Sequence, residues 1–273
     1  MDSLRLIGNA TMVLRLGAFT LLTDPNFIRR GQYAYLGWGL VTKRLVDPSE
    51  EIKDLPPLDA VVLSHLHGDH FDRVARRELD RTVPLLTTPQ AAHRLGRVGF
   101  ATHGLETWES HTLERDGERL TVESLPGIHA RGVMRRMLPQ VMGSLITHHV
   151  DGRPDRRLYI SGDTLTGDHL DQIAERHPGI DAGVLHLGGT RVLLQTVTMD
   201  DQQGVDAMRR VGMSHTFAVH HDDYGAFRSP IDAFTERARR LGLDARISVP
   251  TRGTEQALFP MPEQSGSRPT TVG

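Results

Sequence analysis

A short loop contains the stretch Ser64-His65-Leu66-His67-Gly68-Asp69-His70, in which four side chains are of types that bind metal ions. The loop directly follows Ala60-Val61-Val62-Leu63, a β-branched run that is typical of a buried strand. Such a strand delivers the next loop to the C-terminal edge of its sheet, where metal sites and active sites tend to lie. The sequence therefore predicts a metal site at the end of this strand.

The spacing within the loop suits a pair of ions. Residues two apart in an extended segment point the same way, so His65 and His67 can bind one ion. Gly68 lets the backbone turn sharply, which allows Asp69 and His70 to face a second ion a few ångströms away. A bare His-x-His would fit an ordinary solvated loop, whereas four donors in this order favour a metal site.

This stretch resembles the His-x-His-x-Asp-His signature of the metallo-β-lactamase superfamily, and the resemblance extends over roughly residues 3 to 259. Further stretches that resemble motifs of the family are Gly8-Asn9-Ala10-Thr11 with Leu21-Leu22-Thr23-Asp24-Pro25, Pro126-Gly127-Ile128-His129, Ser161-Gly162-Asp163-Thr164, and Phe217-Ala218-Val219-His220-His221-Asp222-Asp223-Tyr224. The stretches Leu185-His186-Leu187-Gly188-Gly189-Thr190 and Thr198-Met199-Asp200 look like the branch that contains L-ascorbate-6-phosphate lactonase and N-acyl phosphatidylethanolamine phospholipase D.

The resemblance implies two metal sites with seven ligands. They are His65, His67 and His129 for a first ion, Asp69, His70 and His220 for a second ion, and Asp163 between the two. Either His220 or His221 could close the second site, and we favour His220 because it directly follows a predicted strand. His221 is then a candidate substrate contact, and His186 is interpreted as a supporting histidine rather than a ligand.

The chemistry implied by the resemblance is metal-dependent hydrolysis of a lactone or a phosphodiester. An ion held by imidazoles and carboxylates lowers the pKa of bound water from ~15.7 to about 7, so that a metal-bound, bridging hydroxide can serve as the nucleophile. The candidate catalytic residues are Asp69, Asp163 and His220. The chain has no cysteine, so its ligands are nitrogen and oxygen atoms. Two Zn²⁺ ions are expected, with Mn²⁺ or Fe²⁺ as alternatives.

Two predicted loops beside these ligands bear on the substrate. Residues 28–46 include Trp38 and can form an aromatic lip or a packed loop. Residues 130–142 include Arg131 among other arginines and methionines, a composition that suits an amphiphilic or anionic substrate, a lipid surface, or a solvated cover. Tyr224 is a further candidate substrate contact.

Composition limits the classes of partner. The 273 residues carry a formal net charge of −2, which argues against a nucleic-acid-binding surface and hence against the alternative of a nuclease of the same superfamily. A non-catalytic metal-binding protein is the other alternative. The sequence shows neither a secretory leader nor an apolar stretch long enough to span a membrane, so a cytoplasmic location is expected. The expected partner is a small-molecule or lipid-like substrate, and the branch allows a homo-oligomer.

The pattern of apolar residues predicts an α/β (α+β) fold, and the resemblance implies a four-layer αββα sandwich. We expect one domain over residues 1–259 and a flexible tail over residues 260–273, which is rich in Pro, Gly, Ser and Thr. Helices are predicted over residues 72–80, 89–95, 168–176, 200–211 and 230–241. In the last helix we expect Pro230 in the first turn, with Ser229 as the N-cap.

Overall fold

The computed structural model describes residues 2–132, 138–192 and 195–259. Its strands, in chain order, are β1 (Ser3–Gly8), β2 (Thr11–Leu16), β3 (Phe19–Thr23), β4 (Tyr33–Gly37), β5 (Leu40–Lys43), β6 (Ala60–Leu63), β7 (Leu85–Thr87), β8 (Thr102–Gly104), β9 (Ser110–Arg115), β10 (Glu118–Pro126), β11 (Met142–Val150), β12 (Arg153–Ile160), β13 (Ala182–His186), β14 (Arg191–Val192), β15 (Gln195–Thr196), β16 (His215–Val219), β17 (Ile247–Ser248) and β18 (Glu255–Ala257). The helices are α1 (Arg73–Glu78), α2 (Pro89–Gly96), α3 (Asp168–Arg176), α4 (Asp201–Val211) and α5 (Ile231–Arg240).

Two large sheets dominate the described part of the chain, and each has seven strands. The first runs β18-β1-β2-β3-β6-β7-β8, and the second runs β17-β16-β13-β12-β11-β10-β9. Strands β3, β6, β7 and β8 pair in parallel, as do β12, β13, β16 and β17. Parallel neighbours end at the same edge of a sheet, so each sheet presents several strand ends together.

Alternation along the strands builds a layered core. On β6, Ala60 and Val62 join the apolar cluster between the two sheets, whereas Val61 and Leu63 pack toward α1 and α2. On β16, Phe217 joins that central cluster, and its neighbour Ala218 packs with residues of α3, α4 and α5. Both faces of each sheet are therefore covered, which confirms the expected αββα fold class.

The five predicted helices are present, with small differences at their ends. One expectation was wrong, because Pro230 has an extended ψ of 143° and precedes α5 as its N-cap. A residue inside the helix would need a ψ near −42°, so the helix begins one residue later. The hydroxyl of Ser229 does not cap α5. It accepts a 3.0 Å hydrogen bond from the backbone N–H of Asp201, at the start of α4.

The region 28–46 contains the β4–β5 hairpin, which is not a packed irregular loop. Residues 133–137 of the second predicted loop and the predicted tail at residues 260–273 lie outside the described residues. Among the helices that the structure describes, none is long and apolar enough to span a membrane.

The strand ends converge on one edge of the sandwich. The loops that follow β3 and β6 come from the first sheet, and the loops that follow β10, β12 and β16 come from the second. All five of these loops carry candidate ligands or their hydrogen-bond partners, so the topology collects them from segments far apart in sequence.

Candidate metal centre

Three histidines form a cluster at this edge. The Nδ1 atom of His67 lies 2.9 Å from Nε2 of His65 and 3.3 Å from Nε2 of His129. Two ligand atoms bound tetrahedrally to one ion at about 2.1 Å would lie about 3.4 Å apart. The spacing of the three nitrogens therefore fits a shared metal ion.

A second cluster adjoins the first and consists of Asp69, His70, Asp163 and His220, all buried. The Nε2 atom of His70 lies 3.2 Å from Oδ2 of Asp163 and 3.7 Å from Oδ2 of Asp69. The Nε2 atom of His220 lies 3.4 Å from Oδ2 of Asp69 and 3.7 Å from Oδ1 of Asp163. Two imidazoles and two carboxylates thus converge with spacings that also fit one ion.

Asp163 lies between the clusters. Its Oδ2 atom is 3.9 Å from Nε2 of His65 in the first cluster and 3.2 Å from Nε2 of His70 in the second. The carboxylate follows β12, and its other oxygen lies 3.2 Å from Nδ1 of His186. This position is the one that a ligand shared by two ions would have to occupy.

Several polar atoms in the second cluster have no hydrogen-bond partner among the described residues. They are Nε2 of His70, Nε2 of His220 and Oδ1 of Asp69, and all three atoms are buried. A buried polar atom without a partner costs about 1–3 kcal/mol, so such a concentration calls for a ligand. Imidazole nitrogens and carboxylate oxygens that converge in this way fit a transition-metal ion.

In four of the five candidate histidines the other ring nitrogen, Nδ1, has an acceptor that orients the ring, whereas His67 turns its Nδ1 toward the first cluster. Nδ1 donates at 3.0 Å from His65 to Oγ of Ser64, at 3.0 Å from His70 to Oδ2 of Asp24, at 2.9 Å from His129 to the Val197 carbonyl, and at 3.0 Å from His220 to the Leu187 carbonyl. A proton held on Nδ1 leaves the Nε2 lone pair free to face a metal ion.

Asp24 is a functional residue that the sequence reasoning missed, since it was noted only as part of a motif. Its Oδ1 atom accepts the backbone N–H of Ser64 at 2.7 Å, and Oδ2 accepts the Ser64 hydroxyl at 2.9 Å. It also holds the ring of His70. A signal was available, because Asp24 directly follows β3, the parallel neighbour of β6, and so lies beside the metal loop.

Asn9, at the β1–β2 turn, was missed in the same way. Its side-chain amide donates a 2.7 Å hydrogen bond to the carbonyl of Asp69. Its own backbone N–H donates to Oδ2 of Asp223 at 2.8 Å, and the fully buried Arg44 lies 3.1 Å from the other oxygen of that carboxylate. The turn therefore links the metal loop to the segment that follows His220.

The electrostatics of the centre favour positive charge in the second cluster. Burial lowers the pKa of His67 to about 3, so this imidazole stays neutral and can bind metal near neutral pH. Burial also lowers the pKa of His70, but the neighbouring carboxylates, foremost Asp163 and then Asp69, raise it to well above the ordinary value. These carboxylates thus attract a positive charge, either a proton or a metal ion.

The candidate substrate residues lie in different surroundings. His221 is half-buried and lies outside both clusters, with Nδ1 3.6 Å from Oδ1 of Asp222. Tyr224 is 1% exposed, and its hydroxyl donates to Oδ1 of Asn26 at 2.8 Å, so we do not propose it further as a substrate contact. Trp38 is 68% exposed at the tip of the β4–β5 hairpin. Arg131 is exposed and donates to the carbonyl of Thr166 at 2.9 Å.

Residues 20–221 match the model of a protein family described as a beta-lactamase superfamily domain. The chain is 28% identical over 243 residues to an uncharacterized protein of Mycobacterium tuberculosis, with 86% of this chain covered and only 61% of the relative's length. It is 25% identical over 256 residues to the UPF0173 protein YddR of Bacillus subtilis, with 90% of this chain and 96% of that protein covered. A further relative is N-acyl-phosphatidylethanolamine-hydrolyzing phospholipase D 1 of Caenorhabditis elegans. It is 24% identical, with 80% of this chain and 63% of that protein covered.

Solved structures share the fold. An isothiocyanate hydrolase from Delia radicum gut bacteria superposes with a TM-score of 0.79 at 22% identity, and 94% of this chain and 100% of that chain are covered. A protein of Veillonella parvula, described as a possible metal-dependent hydrolase, gives a TM-score of 0.81 at 20% identity with the same coverage. At these identities the likeness concerns the fold and not the substrate.

Proposed function

The chain belongs to the metallo-β-lactamase superfamily of metal-dependent hydrolases, and from that membership we propose that it hydrolyses a lactone or a phosphodiester at a two-ion centre. The observation that carries the proposal is Asp163, whose carboxylate lies within 3.9 Å of one cluster and 3.2 Å of the other. Two adjoining ligand sets around a shared carboxylate are the arrangement that two-metal hydrolysis requires.

The proposed ligands are the seven residues predicted from the sequence. They are His65, His67 and His129 for the first ion, Asp69, His70 and His220 for the second, and Asp163 for both. Zn²⁺ is the first choice because imidazole nitrogens predominate, and Mn²⁺ or Fe²⁺ remain alternatives because carboxylates complete the set. His220 is preferred because its ring, unlike that of His221, lies within ion-pair distance of Asp69 and Asp163.

When bound, the paired ions would supply an activated, bridging water nucleophile and a positive charge beside the substrate oxygen that becomes negative. Asp69 is the residue best placed to orient that water, since its Oδ1 atom is buried and has no hydrogen-bond partner among the described residues. Burial raises the pKa of Asp69, but His70 and His220 lower it to about 2, so the carboxylate stays ionised and accepts hydrogen bonds. Asp163 and His220 would hold the second ion together with Asp69 and His70.

The relatives favour the phosphodiester over the lactone as the first substrate to test. The Caenorhabditis elegans relative is described as hydrolysing an N-acyl-phosphatidylethanolamine, which is a phosphodiester with apolar chains. A small or lipid-like anionic substrate would also suit two exposed residues: Trp38, in the hairpin that contacts the metal loop, and Arg131, two residues after His129. The cytoplasmic location and the homo-oligomer stay predictions.

The proposal is tested by measuring metal per chain with inductively coupled plasma mass spectrometry, together with hydrolysis of bis(4-nitrophenyl) phosphate and of a δ-lactone. We expect two ions in the wild type, loss of metal and activity in His67→Ala and Asp69→Ala, and turnover of at least one substrate. His220→Ala should lose an ion, whereas the matched variant His221→Ala should keep both.

Two outcomes would contradict the proposal. A protein that binds no metal after reconstitution would exclude the catalytic centre, and a loaded protein that hydrolyses neither substrate would favour a non-catalytic metal-binding role. Loss of an ion in His221→Ala but not in His220→Ala would reassign the last ligand.

A further inference from the structure

A groove of about 540 Å³ opens beside the first histidine cluster. It is lined by residues of β4, by residues of α1 and α2, and by the metal loop at Leu66, His67 and Gly68. His67 is half-buried, whereas His65 and His129 are buried, so His67 is the ligand candidate that faces the groove. A molecule in the groove would therefore reach the metal centre through His67.

The wall of the groove formed by the helices is cationic. It carries Arg73 and Arg76, one turn apart on α1, and Arg94 on α2, all exposed. Arg73 donates to the carbonyl of Tyr33 at 3.2 Å, but neither Arg76 nor Arg94 has a carboxylate within ion-pair distance among the described residues. Two guanidinium groups are thus left to bind an anion from solution.

The acid in the groove does not neutralise this charge. Asp72 is the acidic residue among those that line it, and its carboxylate is buried. One oxygen accepts the backbone N–H groups of Val74 and Ala75, and the other accepts those of Phe27 and Ile28 at 2.5 Å each. Asp72 is therefore held by backbone N–H groups rather than by the arginines. One acid against three arginines leaves the groove positive on a chain whose net charge is −2.

The strand side and the floor are apolar and aromatic. Tyr33 and Tyr35 are 54% and 57% exposed on one face of β4, and Ala34 between them is buried. Both tyrosines line the groove, and so do Leu66 and Leu95, which form what we call its floor. Exposed aromatic side chains beside a cluster of candidate metal ligands mark a surface for an apolar group.

We propose that this groove binds an amphiphilic organic oxyanion, a phosphate or carboxylate attached to an apolar group, as part of the substrate. The oxyanion contacts Arg76 and Arg94, and the apolar group lies against Tyr33, Tyr35 and the floor. This role of the groove deepens the proposed function and rests on it, because the groove delivers its ligand to the metal centre at His67. It selects anionic substrates with an apolar part over neutral lactones.

A second groove, of about 230 Å³, reaches the same centre from the His129 side. It is lined by apolar residues and by uncharged polar residues such as Ser124 and Gln140, with Glu106 as its acid and no arginine or lysine among the described lining residues. The two approaches to the centre therefore differ in charge. The oxyanion and its apolar group would be held on the His67 side, and the remainder of the substrate would extend past His129.

The test is isothermal titration calorimetry of the metal-loaded protein with n-hexyl phosphate, hexanoate, 1-hexanol and inorganic phosphate. We expect n-hexyl phosphate or hexanoate to bind at least about tenfold more tightly than either 1-hexanol or inorganic phosphate. The double variant Arg76→Gln/Arg94→Gln should weaken that binding by about tenfold. The matched double variant Arg153→Gln/Arg209→Gln makes the same charge change at exposed positions elsewhere and should bind like the wild type.

Equal binding by the wild type and Arg76→Gln/Arg94→Gln would overturn the proposal. Binding of 1-hexanol as tight as that of n-hexyl phosphate would also overturn it, because the arginines would then contribute nothing. Binding of inorganic phosphate as tight as that of n-hexyl phosphate would overturn it as well, because the apolar floor would then contribute nothing. Because binding is measured without turnover, a protein that shows the expected pattern but hydrolyses no ester would support the groove while contradicting the proposed function.

Discussion

The carboxylate of Asp24 supports His70 on the side of the ring away from the second cluster. Its two oxygens accept hydrogen bonds from the Ser64 backbone, the Ser64 hydroxyl and Nδ1 of His70. Asp24 has a φ of 35°, in the left-handed region that asparagine also tolerates. Replacement by asparagine therefore keeps the backbone and changes only the side-chain donors and acceptors.

Asp24→Asn is predicted to weaken binding of the second ion by about 10- to 100-fold, because one of the three donors would then face an amide N–H. Chelator competition with zinc-loaded protein measures this affinity. The matched control is Asp116→Asn, the same change at a φ of 52° in the β9–β10 turn, away from the centre. An unchanged zinc affinity in Asp24→Asn would mean that the ring of His70 is oriented by its packing alone.

At the scale of elements, the metal loop and the β4–β5 hairpin are in direct backbone contact. The N–H of Gly68 donates to the carbonyl of Tyr35 at 2.8 Å. A Cβ atom at Gly68 would lie only 2.7 Å from both the nitrogen and the oxygen of Tyr35, so no side chain fits there without a shift of backbone. The glycine of the metal motif thus serves close packing as well as the turn.

Gly68→Ala is predicted to push β4 away from the metal loop and to lower the free energy of unfolding by about 1–3 kcal/mol, as overpacking usually does. Urea unfolding measures the change in the free energy of unfolding. Binding of n-hexyl phosphate should also weaken in this variant, because Tyr33 and Tyr35 move with β4. Gly225→Ala is the control, since its nearest contact would be an ordinary 3.9 Å and its expected change is within about 0.5 kcal/mol. Equal unfolding free energies for the two variants would contradict the close contact.

At the scale of the whole molecule, the centre connects the two sheets. His65, His67, Asp69 and His70 follow β6 of the first sheet, and His129, Asp163 and His220 follow β10, β12 and β16 of the second. Bound ions would therefore tie together the two halves of the sandwich. They would also relieve the repulsion between the buried carboxylates of Asp69 and Asp163.

Metal removal is predicted to lower the Tm. Ions present at a thousand times their Kd stabilise the folded state by about 4 kcal/mol, which for a chain of this size corresponds to about 8–16 °C. Differential scanning calorimetry before and after treatment with a chelator measures the shift, and added Zn²⁺ should restore the Tm whereas Ca²⁺ should not, because imidazoles predominate among the ligands. An unchanged Tm in protein shown to have lost its metal would mean that the sheets do not depend on the centre.

Much of the secondary structure could be predicted because it depends on short-range patterns in the sequence. The metal loop, the helices and the buried strands each depend on residues close in sequence, so apolar alternation and donor spacing were sufficient to predict them. The motifs at residues 129, 163 and 220 were assigned from their resemblance to motifs of the family, and each follows a strand of the structure. The β4–β5 hairpin and the start of α5 were not predicted, because their position depends on packing against distant segments.

The sequence by itself determined the fold class and the set of candidate ligands, since strands and helices follow from local runs of residues and the ligands lie in short motifs that resemble those of the family. Only the tertiary structure decided what supports and surrounds those ligands. Asp24 reaches His70 across 46 residues and Asn9 reaches Asp69 across 60, and the cationic groove combines one strand with two helices from separate parts of the chain. Hydrogen bonds and surface grooves of this kind depend on distance in space, which no local pattern specifies.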